Sequence, residues 1–381
     1  MDFKYTDEQQ MLSSAARDLF GKAYDPESRN TVVATELGWS RDVWAQCAEM
    51  GLLGLPFAEG DGGMGAGPIE VMGVMTEIGR RLAPEPFLDA VVVAGGLVAE
   101  CGSAEQRADL LPKLAEGELL LAFAHHEPGM RWPVRAVATT ATPDGDVWAI
   151  TGVKNPVLHG DCADQVIVSA NLPGAAGIGL FLVAADAPGV TRTAYATHDS
   201  LRGAQLQLTA APATLLGEAG QVEAGDRTAA IDAIEVRAQA ALAAEAVGAM
   251  EEALRLTTEY LKTRKQFGVP LATFQTLTHR AADMYVLLEL ARGMSLYGSM
   301  ALADGDYSPE IAARVQLQIG RSARKIGQEA IQLHGGIGVT AEYPVSHYVS
   351  RLLAIEHTLG GTEEHLHTLM SGLRDHEIVS L

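Results

Sequence analysis

YLKTRKQFGVPLATFQ, Tyr260 to Gln275, is the stretch on which the fold reading turns. It closes a run from Thr228 to Lys262 whose apolar spacing predicts one very long helix. Phe274 to Ala303 and Ile311 to His334 predict two more. Helices of such length pack as a bundle. Within the stretch, Arg264-Lys265-Gln266-Phe267-Gly268 sets a cation, an aromatic ring and a glycine side by side, with Phe274-Gln275 following. An arginine near a ring and a glycine suits a pyrophosphate and an adenine edge. A basic helix C-terminus closed by a glycine reads equally well.

Moving toward the N-terminus, the character changes twice. From about Glu118 to Gly225 helical periodicity fades. Val147 to Ile150 follows the turn Pro143-Asp144-Gly145-Asp146, a hairpin signal, and Gln165 to Ser169 and Gly179 to Val183 are apolar runs of strand length. Before that, segments read as helices again. Thr6-Asp7-Glu8-Gln9 offers a polar start, and Trp44 to Leu53, Glu70 to Leu82, Leu88 to Cys101 and Ala104 to Leu114 follow. A glycine-rich loop spans Pro56 to Pro68. The expected fold class is therefore α+β: an N-terminal helical domain over 1–120, a middle β domain over 121–225 and a C-terminal helical bundle over 226–381.

Composition narrows the function. Of 381 residues, 48% are apolar and 20% charged, as in ordinary globular proteins. The net charge of −20 repels nucleic acid and anionic membrane, although local arginines can still hold a small anion. No apolar run is long enough to span a bilayer, and MDFKYTDEQQ does not look like a signal peptide. Cys47, Cys101 and Cys162 are far apart and odd in number, which argues against disulfides and a zinc site and for the cytoplasm. No metal is expected.

Two glycine motifs lie further on. Gln332-Leu333-His334-Gly335-Gly336-Ile337-Gly338 follows a long helix, where a plain stop needs only one glycine. It lacks the strand before and the helix after that a dinucleotide fold requires, so a Rossmann reading is poor. Leu359-Gly360-Gly361-Thr362-Glu363-Glu364 adds a glycine pair with residues placed to cap a final helix.

Taken together, the α–β–α order, RKQFG with FQ, the QLHGG loop and the GGT loop resemble the acyl-CoA dehydrogenase family along essentially the whole chain. Glu49 to Gly54 with Gly62 to Gly65 looks like the family's N-terminal region, and Glu127-Pro128-Gly129 like the start of its flavin-contacting β segment. Within the family the wording is closest to small subunits of pimeloyl-CoA dehydrogenase. The resemblance implies FAD spanning a subunit interface in a homo- or heterotetramer, an acyl-CoA substrate and an electron-transfer flavoprotein as acceptor. It implies that Arg264, Gln266, Phe267, Gln275, Gln332, Gly335, Gly336 and Thr362 meet the adenosine diphosphate side of FAD.

The isoalloxazine side departs from the family pattern. Thr-Glu-Pro followed by Gly-Ser-Asp becomes His126-Glu127-Pro128 and Arg131-Trp132-Pro133. Trp-Ile-Thr-Asn-Gly becomes Pro156-Val157-Leu158-His159-Gly160, so the flavin-side hydroxyl is replaced by Leu158. His126 and the backbone N–H of Leu158 are the remaining candidates there. The resemblance also puts the catalytic carboxylate at Gly360 or, counting 26 residues back from Arg264, at Ala238; neither can act as a base. Glu245, the only charge between Ala238 and Met250, ranks first as a displaced base or else as a structural acid paired with an arginine. Glu235 ranks behind it, because Arg237 suggests a solvated helix end. Three functions follow: an acyl-CoA dehydrogenase with a displaced base, a non-catalytic or half-site subunit of a heteromeric dehydrogenase, or a flavin monooxygenase on the same fold.

Overall fold

The computed structural model describes residues 5–144, 147–175, 177–217 and 225–372. The order is helical, then β, then helical. The first part holds α1 (Asp7–Ala23), α2 (Pro26–Val33), α3 (Arg41–Glu49), α4 (Pro68–Arg81), a π-helix (Phe87–Gly95), α5 (Gly96–Cys101) and α6 (Ala104–Ala115). The second holds β1 (Leu121–Ala124), β2 (Thr140–Asp144), β3 (Val147–Leu158), β4 (Gln165–Asn171), β5 (Ile178–Ala184), β6 (Val190–Ala196) and β7 (Arg202–Leu215). The last holds α7 (Thr228–Thr263), a small hairpin of β8 (Lys265–Gln266) and β9 (Val269–Pro270), then α8 (Gln275–Ala303), α9 (Pro309–His334), α10 (Val345–His357) and α11 (Thr362–Gly372).

The polar start at Thr6 is a reciprocal cap. Thr6 Oγ1 accepts from the Gln9 backbone N–H at 3.2 Å, while Gln9 Oε1 accepts from the Thr6 N–H at 2.9 Å. The stretch read as one helix over Leu88 to Cys101 is instead a π-helix running into α5. β2 and β3 pair antiparallel from Asp144 and Val147 back to Thr140 and Thr151. Gly145 and Asp146 of the expected turn lie outside the described residues.

Two compact units are present. One takes in the described residues of Asn30–Gly67 and Pro84–Ala238. Its β strands close on themselves: β4 pairs β5, β5 pairs β7, β7 pairs β3, β3 pairs β2, and β2 touches β4 at Thr140 and Asn171. The inside is apolar, with Ile150, Val157, Val168, Phe181 and Leu206 buried. One polar cluster sits in this interior. Lys154 is fully buried, and its Nζ donates to Glu127 Oε1 at 2.8 Å, Ser169 Oγ at 3.1 Å and the His125 carbonyl at 3.1 Å. Burial works against the Glu127 charge. Hydrogen bonds from Lys154, Thr139 and the Ala138 N–H nonetheless hold that carboxyl down at about 2.

The other unit comprises the described residues of Met1–Arg29, Pro68–Ala83 and Gln239–Leu381. At its centre α7 is apolar on every side from Ala241 to Met250 apart from Glu245 and Gly248, as a helix enclosed by others must be. α4 and α7 cross in backbone contact. A Cβ on Gly248 would lie 1.9 Å from the Thr76 carbonyl oxygen, and one on Gly79 would lie 1.9 Å from that of Glu245. Only hydrogen fits at either position.

Gly248→Ala therefore forces two helices apart. The expected loss is about 3 kcal/mol or more of unfolding free energy, at the upper end of overpacking effects. Denaturant titration measures it. A midpoint within about 0.5 kcal/mol of wild type, the range of neutral surface changes, contradicts the crossing.

Candidate functional site

The residues on the expected adenosine diphosphate side all belong to the unit that holds most of α7. Where α7 ends, Arg264 is exposed and has no ion-pair partner among the described residues. Its backbone is fixed by N–H to the Tyr260 carbonyl and by accepting from the Leu271 N–H, each at 2.8 Å. The β8–β9 turn places Phe267 at φ 53 and Gly268 at φ 81. Phe267 is 93% exposed and only edge-packed on Phe274, with 6.2 Å between ring centroids. A bulky residue in the left-handed region with its ring in solvent marks a turn shaped for contact rather than for packing. Gln266, Gln275 and Gln332 are exposed as well.

After α9, Gly335 takes φ 66 and ψ −143, a conformation open essentially only to glycine. A Cβ on Gly335 or Gly336 would meet nothing within 4 Å, so both face open space. Three rings tie this loop to the Arg264 arm. Tyr260 and His334 lie 4.6 Å apart, and His334 and Tyr343 4.9 Å. His334 Nδ1 is 2.8 Å from the Ala330 carbonyl. Burial pushes the imidazole below its usual range, with that carbonyl pulling the other way, so the ring is neutral at neutral pH. Tyr260 and His334 stand inside the motifs quoted above, but nothing in their spacing shows that they stack.

Thr362 opens α11 and donates through Oγ1 to Glu356 Oε1 at 3.0 Å. Just before it, Gly360 sits at φ 96 and has no side chain. Ala238 is buried. The next residue on α7, Gln239, donates through Nε2 to the Leu359 carbonyl at 2.9 Å.

His126 and Leu158 belong to the unit that contains the β strands. The His126 carbonyl accepts from the Asn155 N–H at 2.9 Å, which ties it to β3 three residues before Leu158. Burial and then the Lys154 cation push the His126 imidazole down, so it too is neutral near pH 7. Neither position carries the hydroxyl of the family pattern.

The two candidate acids differ in their partners. Glu245 is held by Arg351 through both oxygens, Nε to Oε1 at 2.6 Å and Nη2 to Oε2 at 2.7 Å, and both residues are buried. A carboxylate gripped by a bidentate guanidinium has its lone pairs engaged and its charge compensated, which is the structural arrangement and not that of a base. Glu235, ranked second, is 7% exposed despite its neighbour; Arg237 turns outward to Glu100. Glu235 Oε2 instead accepts from the Trp132 indole N–H at 2.8 Å, and burial pushes its carboxyl up to about 7.

Comparison with known proteins covers almost the whole chain. Residues 6–118 match the acyl-CoA dehydrogenase N-terminal domain, 122–210 the middle domain and 233–373 the C-terminal domain. The chain is 28% identical to acyl-CoA dehydrogenase FadE27 of Mycobacterium tuberculosis over 95% of each protein. It is similar to a solved variant of the Tcur3481-Tcur3483 steroid ACAD, at 34% identity and TM-score 0.87 over 97% of this chain and 98% of that one. The ChsE4-ChsE5 complex of M. tuberculosis shows 26% identity and TM-score 0.88 over 99% and 100%.

The Glu245–Arg351 pair predicts a stability pattern. Arg351→Met strands a buried carboxylate and lowers unfolding free energy by about 3–5 kcal/mol. Adding Glu245→Met removes the stranded charge and recovers most of that loss. A single-mutant loss below about 1 kcal/mol in denaturant titration contradicts the structural role.

Proposed function

The chain belongs to the acyl-CoA dehydrogenase family, and from that membership we propose that it is an FAD-dependent subunit which oxidises an acyl-CoA to its α,β-unsaturated thioester and passes the electrons to an electron-transfer flavoprotein. The observation that carries this reading is the outward-facing set around Arg264, Phe267, Gly335 and Gly336. Its chemistry fits an adenosine diphosphate group. An unpaired guanidinium suits a diphosphate, an exposed ring suits an adenine face, and open glycines let the backbone approach. Gln266, Gln275, Gln332 and Thr362 add polar groups around it. FAD, when bound, supplies a hydride acceptor for the substrate β carbon. The chain's own task is to hold the thioester, exclude water and take the α proton.

A ring as exposed as Phe267 favours burial against another subunit. Arg264 and Gly336 therefore lie at an interface of a tetramer in this reading, and the cofactor is shared. The three free cysteines suit the reducing cytoplasm.

A second reading has specific support. Gly360 and Ala238 offer no carboxylate, Glu245 is engaged by Arg351, and two similar structures each name two different proteins. The chain would then be the half-site partner in a heteromer, lending Arg264 and the QLHGG loop to a flavin whose proton acceptor sits on the other chain.

Purification of the chain alone, followed by anaerobic addition of acyl-CoAs, separates the two. The dehydrogenase reading expects yellow protein whose flavin absorbance bleaches with substrate. Colourless protein that turns yellow only with a second chain selects the half-site reading. Protein that takes up no FAD under either condition contradicts both.

A further inference from the structure

Glu235 is a buried carboxylate without a cation. No ion pair reaches it among the described residues; its one hydrogen bond is from the Trp132 indole to Oε2, at 2.8 Å. Oε1 has no donor among the described residues. The charges that face it are already engaged elsewhere. Asp232, one turn back on α7, pairs with Arg135 from the segment that carries Trp132, and Arg237 pairs with Glu100 of α5. An indole N–H can orient a carboxylate, but it cannot neutralise one or surrender a proton to it at neutral pH. Glu245, ten residues along the same helix, is the contrast: both of its oxygens are committed to a guanidinium.

Position adds a second argument. Trp132 belongs to the segment from His126 to Pro133, which stands where the resemblance puts the family's flavin-contacting segment, although Arg131-Trp132-Pro133 replaces the usual residues there. The hydrogen bond therefore puts Glu235 beside that segment. Glu235 also stands three residues before Ala238, a shift of roughly 4.5 Å along the helix axis.

We propose that Glu235 is the proton acceptor of this chain, taking the place of the carboxylate missing at Ala238 and Gly360. The proposal rests on the dehydrogenase reading above. In the step, the substrate Cα–H bond breaks and its proton goes to Glu235 Oε1. The electron pair left behind forms the carbon–carbon double bond. The β hydrogen leaves with its own pair to the bound FAD, which is the oxidant. Trp132 holds Oε2, so Oε1 is presented in one orientation. Burial, opposed by that same hydrogen bond, matches the proton affinity to neutral pH, with a carboxyl pushed up to about 7. Its ionised form prevails above that value, so α-proton removal speeds up as pH rises through it.

The test uses the purified assembly with FAD bound and the variants Glu235→Gln and Trp132→Phe. Glutamine keeps an acceptor for the indole but cannot take a proton. In Glu235→Gln, flavin content is expected to be unchanged while its anaerobic reduction by acyl-CoA falls about 10³-fold. The wild-type rate is expected to rise through about pH 7, and this inflection disappears in the variant. An independent readout needs neither turnover nor flavin. The indole N–H resonance lost in Trp132→Phe is expected to titrate near pH 7 in wild type and not in Glu235→Gln. Equal flavin reduction in Glu235→Gln and wild type overturns the proposal and leaves the dehydrogenase reading standing. A wild-type assembly that holds FAD but is reduced by no acyl-CoA overturns both.

Discussion

Two glycines carry the heaviest constraint in this protein. Gly79 on α4 and Gly248 on α7 let two helix backbones touch, with each missing Cβ replaced by a carbonyl of the other helix. That contact dictates much of what surrounds it. A helix approached so closely needs small residues, which accounts for the alanine-rich face from Ala238 to Ala249. The one charged side chain in that run, Glu245, then has to be compensated on the spot, and Arg351 of α10 does so. Tyr348, one turn earlier on α10, donates to the Arg80 carbonyl at the end of α4 at 2.7 Å, so three helices are locked to one another.

The same helix organises the chemistry. Its C-terminal end feeds directly into Arg264 and the β8–β9 turn, and the rings of Tyr260, His334 and Tyr343 join that end to the glycine loop after α9. Its N-terminal end carries Glu235, facing Trp132. In the proposed reading α7 leads from Glu235 near its start to Arg264 just past its end. Rigid helical supports hold such groups more accurately than loops do.

Much of this was legible in the sequence, for physical reasons that differ from place to place. The long helices are visible because their apolar spacing persists for many turns, and α7, α8 and α9 begin and end within two residues of the expected positions. The strand runs at Val147, Gln165 and Gly179 are visible as short apolar stretches bounded by turn residues. β6 is not, since its outward residues leave it mostly exposed, and β1 is too short to show a period. The π-helix at Phe87–Gly95 is hidden because uniform hydrophobicity carries no phase. Of the residues the resemblance assigns to the diphosphate side, Arg264, Gln266, Phe267, Gln275, Gln332, Gly335 and Gly336 are exposed, and Thr362 is half-buried. The partners of the two acids are not legible locally, because they lie far off in sequence. Glu245 reads either as a displaced base or as an acid paired with an arginine, and the arginine, Arg351, lies 106 positions away; Arg237 made Glu235 look solvated although the Glu235 side chain turns to Trp132. Local pattern gives burial; only the fold gives the partner.

In the proposed function the turn at the end of α7 meets the diphosphate half of FAD. Calorimetric titration with ADP alone tests it most directly, since ADP carries that half and none of the flavin chemistry. Saturable binding by the FAD-free assembly is expected, with at least about a tenfold loss, ~1.4 kcal/mol, in Arg264→Gln. Equal ADP affinity in wild type and Arg264→Gln, or no ADP binding by an FAD-free assembly that still takes up FAD, would contradict it.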